Sequence, residues 1–170
     1  LNRKVKVYLS MTNNLSHIST EDLLILAGRT LSDSVFYQIV NRAEIIPELL
    51  SILQKDSLYL ADAPGEGWVP IHITRILGKL KPVEAIKPLL TILSESDALD
   101  HIYSEIIHAL SLFGDPVITP IISLYQETEN KEICRPLSDI LAHLNVKTDR
   151  VYEILLQEFH QDPLWGSVCL

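Results

Sequence analysis

The chain has 170 residues and an apolar fraction of 47%, which excludes a disordered polymer and allows one domain with a substantial core. Fourteen basic and twenty-two acidic residues give a net charge of −8, which repels a polyphosphate backbone, so we do not expect a nucleic-acid partner. Cys134 and Cys169 form no CxxC or Cys/His pattern, which indicates a reducing, cytoplasmic compartment. No run is apolar for the length of a membrane span and no segment resembles a signal peptide, so we expect a soluble protein.

The chain begins with a polar, aperiodic stretch. Apart from a strand-like VKVYL run that has no partner strand, residues 1–19 carry no pattern, and we predict a flexible N-terminal tail. Ser19, Glu21 and Asp22 then supply a hydroxyl cap and two acids at the positively polarised end of a helix, which predicts a helix start near residue 20. We therefore assign residues 20–170 to one helical domain.

Apolar residues recur with helical spacing along the rest of the chain. After the first helix, the predicted helices span residues 34–42, 44–53, 68–80, 83–93, 99–113, 117–126, 131–144 and 151–159. The turn-rich loop at 55–67 is either a tolerated insertion or a functional loop, and insertion is the commoner case. Gly114-Asp115-Pro116 predicts a helix stop followed by a start, and Pro136 predicts a kink or the true start of its helix. Residues 162–166 are predicted to open a further helix.

Three of the predicted helices share one pattern, which indicates a repeat. The segments at 44–53, 84–93 and 117–124 superimpose, with a proline at an equivalent place in each. These prolines, Pro47, Pro88 and Pro120, lie 41 and then 32 residues apart, and the longer interval contains the 55–67 loop. A shared period with one insertion is typical of a solenoid, in which stacked helix pairs bury a continuous core.

The run Leu112-Phe113-Gly114-Asp115-Pro116 and, with two extra residues, the stretch 77–86 resemble the start of HEAT-like repeat units. The stretch 41–50 is further similar to bacterial HEAT-like repeat domains of unknown function. The resemblance covers residues 34–165 and implies an all-α fold: an α-solenoid, a right-handed superhelix of about four antiparallel helix pairs. Such arrays need a polar terminal repeat, and because residues 151–170 lack one, we expect the chain to be truncated at its C-terminus.

The resemblance also implies where a partner would bind, because the second or B helix of each pair lines the concave face of a HEAT-like array. The B helices here are 68–80, 99–113 and 131–144, and several of their polar residues come into register when their last core residues are aligned. The candidate concave-face residues are Trp68, His72, Arg75, Lys79, His101, Glu105, His108, Glu132, Arg135, Asp139 and His143. The alternative is a row of solvated side chains with no binding role.

The helix at 99–113 carries the spacing His-x-x-x-Glu-x-x-His, from which side chains can converge on a metal. His101 and His108 are, however, roughly 10 Å apart by the helical rise, too far for one ion. No Gly-x-Ser-x-Gly elbow or Gly-rich phosphate loop is present, and Cys134 has no activating neighbour in the sequence. We therefore predict no catalytic, metal or cofactor site.

Fold alone does not determine function, because HEAT-like families include scaffolds, lyases and DNA-repair glycosylases. The leading prediction is a scaffold module that binds a protein or peptide on its concave B-helix face. One alternative is a HEAT-like enzyme or ligand binder, of the lyase or glycosylase type, that uses the polar groove residues. Another is a purely structural segment of a longer protein.

Overall fold

The computed structural model of the chain describes residues 17–97, 100–128, 130–144 and 148–161, and all regular structure within these ranges is helical. The α-helices there are α1 Thr20–Ala27, α2 Asp33–Val40, α3 Ile45–Leu53, α4 Trp68–Leu80, α5 Ile86–Glu95, α6 His101–Ser111, α7 Ile118–Glu127, α8 Lys131–His143 and α9 Asp149–Gln161. The all-α prediction is confirmed. Residues 1–16 of the predicted tail and the predicted helix after residue 161 lie outside the described residues.

The helix ends follow from local chemistry. The Ser19 hydroxyl accepts a hydrogen bond from the Asp22 amide at 3.0 Å, as its place before α1 predicts. The Asn130 side chain accepts from the Glu132 amide at 2.9 Å and caps α8, and the Thr148 hydroxyl accepts from the Val151 amide at 3.3 Å before α9. These bonds satisfy amides that have no partner within a helix's first turn.

The three repeat prolines occupy the same structural position. Pro47, Pro88 and Pro120 are each the third residue of their helix, in α3, α5 and α7. A proline costs little there, because the first amides of a helix have no intrahelical acceptor. Short 3-10 turns precede α5 and α7, at Val83–Ala85 and Asp115–Val117, so both helices begin later than predicted. Pro136 lies inside α8, which starts at Lys131, so the prediction that it marks a helix start is wrong.

The chain divides into two compact units, residues 1–76 and 77–170, with the boundary inside α4. In the first unit, α1 packs against α2 and α3. The apolar side chains buried there include Leu23, Leu24, Ile39, Leu49, Leu53, Val69 and Ile73. Arg42 ties the start of α1 to this core, because its guanidinium donates to the Thr20 hydroxyl at 2.9 Å and to the Ile18 carbonyl at 2.7 Å.

The loop between α3 and α4 is held by several hydrogen bonds of the first unit. The Tyr59 hydroxyl donates to the Leu53 carbonyl at 2.7 Å, and the Trp68 amide donates to the Gly65 carbonyl at 2.9 Å. Leu58, in a 3-10 turn, is buried in the unit's core. The loop therefore packs as an ordered part of the first unit.

The second unit contains the last residues of α4 and the helices α5 to α9. In it, α5 packs against α6 and α7, and α8 packs against α6, α7 and α9. The buried apolar side chains include Leu77, Leu89, Leu93, Ile106, Leu110, Ile121, Leu137, Ile140, Leu141, Val151 and Ile154. Each helix thus covers its apolar stripe against at least one neighbour, as amphipathic helices require.

The last turns of α4 approach α6 closely, at a glycine. A Cβ on Gly78 would lie 2.9 Å from the Cβ and 3.0 Å from the Cα of Ala109. Both residues are buried, so the small side chains set how near the two backbones can come. Past the end of α6, Gly114 has a φ of +76°, which agrees with its predicted role as a helix stop.

Among the described residues, no single helix is both long and apolar enough to cross a membrane. One pair of helical segments, His101–Ser111 and Asp115–Glu127, is long and apolar enough only when the two are taken together, and the chain bends by 118° between them.

Candidate functional site

The eleven candidate residues fall into both compact units. Trp68, His72 and Arg75 lie on α4 in the first unit. Lys79, at the end of α4, belongs to the second unit, as do the candidates on α6 and α8, namely His101, Glu105, His108, Glu132, Arg135, Asp139 and His143.

His72 does not lie on an exposed flank, which corrects the placement predicted from helix periodicity. Its side chain is 0% exposed, and its Nε2 donates to the Gly28 carbonyl, at 2.6 Å, just past the end of α1. The rings of Trp68 and His72 lie 6.2 Å apart, and Trp68 is half-buried. Of the three first-unit candidates only Arg75 is exposed, so His72 serves the packing of this unit rather than a surface.

The α6 candidates form one surface stripe. His101 and His108 are exposed and Glu105 is half-buried, while Ile106 and Leu110 on the other side of the helix are fully buried. This division follows from 100° of rotation per residue, which places positions 101, 105 and 108 within about a quarter turn of one another. The predicted phase of α6 is therefore right for its three candidates.

A second stripe runs along α8, where the candidates follow one another at intervals of three and four residues. Glu132, Arg135 and His143 are exposed, and Asp139 is half-buried. The His143 Nδ1 donates to the Asp139 carbonyl at 2.7 Å, which orients that ring along the last turn of the helix. Because α8 packs against α6, both stripes belong to the same compact unit.

Tyr103 lies on α6 outside the stripe, and it was not among the predicted site residues. It is half-buried on α6, and burial raises the pKa of its hydroxyl. The negative charge of Asp139 raises this pKa further. Arg135 lowers that pKa and Glu132 raises it, so three charged side chains of α8 act on one hydroxyl of α6. These charged side chains of α8 therefore influence a hydroxyl of α6, which agrees with the packing of the two helices.

A buried polar pair links α7 to α9, and sequence reasoning missed it entirely. The Tyr125 hydroxyl donates to Glu158 Oε1 at 2.5 Å, and each of the two residues is only 9% exposed. Burial raises the pKa of Tyr125 above the ordinary tyrosine value, and the hydrogen bond to Glu158 is the second-largest cause of this rise. A glutamate among the apolar positions of α9 was the available signal, because buried acids require partners.

No metal-binding cluster is present in the described part of the chain, where no three His, Cys, Asp or Glu side chains are grouped so as to hold an ion. Cys134 is buried on α8, and its thiol approaches the Asn130 carbonyl at 3.8 Å. That environment is one of packing rather than of an exposed, activated thiolate.

Comparison with known proteins gives no match. No family model, no curated protein and no solved structure is similar to this chain at a significant level. Function is therefore argued from the geometry of the chain itself.

Proposed function

We propose that this protein is a HEAT-like scaffold module and that it binds a protein or peptide partner on the surface formed by the exposed stripes of α6 and α8. We call this surface the α6–α8 face, and define it by His101, Glu105, His108, Glu132, Arg135, Asp139 and His143, together with the half-buried Tyr103 of α6. The observation that carries the proposal is the packing of two polar-striped helices within one unit.

The contacts of the second unit support a HEAT-like arrangement. In such a stack each first helix contacts its own second helix, and like helices contact across units. The pairs α5–α6 and α7–α8 meet the first condition, and the contacts α5–α7 and α6–α8 meet the second. The equivalent third-residue prolines of α5 and α7 support the same pairing, and α3 carries one as well.

The composition of the face favours macromolecular binding. The face combines an arginine and a tyrosine, which are enriched at binding hot spots, with histidines and acids that provide specific polar contacts. None of the seven stripe residues is buried, so their side chains are not needed to fill the core. A polar surface made from rigid helices can present these groups with little loss of conformational entropy on binding.

The test is site-specific photo-crosslinking in the full chain. A photoreactive residue at Ser104, exposed on α6, should give a defined adduct with a partner protein, whereas one at Thr91, exposed on α5, should not. His108→Ala together with Asp139→Ala should weaken the adduct and leave the unfolding free energy within about 0.5 kcal/mol per change. An equal adduct from position 91, or an adduct that the double variant does not affect, would contradict the proposal.

A further inference from the structure

The negative charge of this protein is concentrated in one unit. The second unit, residues 77–170, carries fourteen acidic and seven basic residues, hence a net charge of −7. The first unit carries eight acidic and seven basic residues, hence −1. Together these account for the net −8 of the chain. A field of this kind favours oppositely charged partners and steers their approach to the second unit.

Acids also outnumber bases along the two stripes. The charged side chains of the two stripes are three acids, Glu105, Glu132 and Asp139, and one base, Arg135. Asp139 exerts the largest of the charge effects on the Tyr103 hydroxyl, ahead of the opposing effect of Arg135. Tyr103 and Asp139 are both half-buried, on two helices that pack against each other.

We infer that the partner of the α6–α8 face is a basic protein segment, whose arginine or lysine side chains contact the acids of the two stripes. This inference rests on the proposed function and adds the chemical class of the partner. The carboxylates of this face suit such side chains, because a carboxylate accepts charge-assisted hydrogen bonds from arginine and lysine, and the aromatic ring of Tyr103 also attracts cations. Glu132 and Glu105 provide further attraction for neighbouring basic residues of the segment.

A free polyamine would satisfy the charge but not the geometry of this site. It has no backbone and no planar guanidinium, so it can use the negative field without the specific contacts expected of an arginine side chain. A protein segment makes contacts along the length of both stripes, and its affinity should depend on the side chains there. The two cationic ligands are therefore distinguishable.

The experiment measures fluorescence anisotropy of short, labelled, flexible Gly/Ser peptides titrated with the full chain. Matched peptides carry several arginines, glutamines or glutamates at the same positions, and spermine serves as a competitor. The arginine peptide should bind, with an affinity that falls as salt is raised, and the other two should bind at least about ten-fold more weakly. Spermine should displace the arginine peptide only at a large excess.

A matched pair of variants then locates the binding. Glu132→Gln with Asp139→Asn should weaken the arginine peptide by about three-fold to ten-fold. Glu84→Gln with Glu95→Gln removes the same charge from exposed positions at α5 in the same unit and should change affinity by less than about two-fold. Thermal unfolding of all variants confirms that they are folded.

The outcomes separate this inference from the proposed function. Equal weakening by both variant pairs, or spermine binding as tight as that of the peptide, would show that only diffuse charge attracts the cation and would overturn the inference. Tight binding of the glutamine or glutamate peptide to the α6–α8 face would overturn the inference and leave the proposed function standing. If the photo-crosslinks from Ser104 and Thr91 are equal, the proposed function itself fails.

Discussion

The hydrogen bond between Tyr125 and Glu158 provides a test of how α9 is held in the second unit. Tyr125→Phe removes the hydroxyl that donates at 2.5 Å to a carboxylate only 9% exposed. Because a hydrogen bond to a charged group contributes about 1.5–3 kcal/mol, and the carboxylate keeps slight access to water, we expect a loss of about 2 kcal/mol at neutral pH. Tyr152→Phe, on the exposed side of α9, is the control and should change stability by less than about 0.5 kcal/mol.

Urea unfolding followed by far-UV circular dichroism measures these changes. A double-mutant cycle with Glu158→Leu isolates the pair, since the double variant leaves neither a buried donor nor a buried acceptor without its partner. We expect the double variant to be more stable than the sum of the single losses predicts, by about 1–2 kcal/mol. Additive losses, or a Tyr125→Phe variant as stable as the control, would refute the reasoning.

The Tyr125–Glu158 pair also predicts that the stability of the fold depends on pH in the alkaline range. Burial, the hydrogen bond to Glu158 and the negative charge of that residue raise the pKa of Tyr125 above its ordinary value of 10.0. The folded state therefore holds this proton more tightly than the unfolded state, and the contribution is fully present below about pH 10. Stability is lost as pH rises towards the folded-state pKa, and the loss should be less steep in Tyr125→Phe.

Three further predictions concern packing and anchoring. Gly78→Ala should destabilise the protein by about 1 kcal/mol in urea unfolding, because overpacking against Ala109 outweighs the gain in helix propensity. Adding Ala109→Gly to this variant should restore part of the lost stability. His72→Leu should cost about 1–3 kcal/mol in the same assay, because the Gly28 carbonyl loses its buried donor, and an unchanged midpoint would show that the 2.6 Å bond contributes nothing. Arg42→Met should increase amide hydrogen exchange in the first turn of α1 and leave α9 unchanged, since only the former is tied by its guanidinium.

Much of the helical layout was predictable from the sequence. α4 begins and ends at the predicted residues, and the other helices differ from prediction by about two residues at most ends. The larger difference, at the start of α5, has a physical cause. α5 starts after a 3-10 turn whose apolar residue Ala85 fits the helical period although the hydrogen bonds of the turn differ.

The candidate surface was predictable only where a helix has one buried side. α6 and α8 have one apolar stripe each, so periodicity assigned their polar residues to the surface. α4 is buried on more of its circumference, which encloses His72 and Thr74 as well as the apolar residues. The acceptor of His72, the Gly28 carbonyl, is 44 residues away in the chain, and periodicity within one helix has no information about it.

Tyr103 and the Tyr125–Glu158 pair were missed for the same reason. Tyr103 lies at the edge of the apolar face of α6, where the neighbouring helix determines whether its hydroxyl meets the core or the charges of α8. Tyr125 and Glu158 are 33 residues apart, and their bond exists only because α7 and α9 belong to one packed unit. Contacts between helices, rather than the pattern along one helix, decide such polar sites.

The most direct test of the proposed docking surface is a chemical-shift map of the 15N-labelled full chain titrated with the arginine peptide. The account predicts that the perturbed amides cluster in α6 and α8, with the largest changes near Tyr103 and Asp139. Shifts that cluster instead in α5 and α7, or that spread evenly over the acidic residues of the second unit, would contradict it.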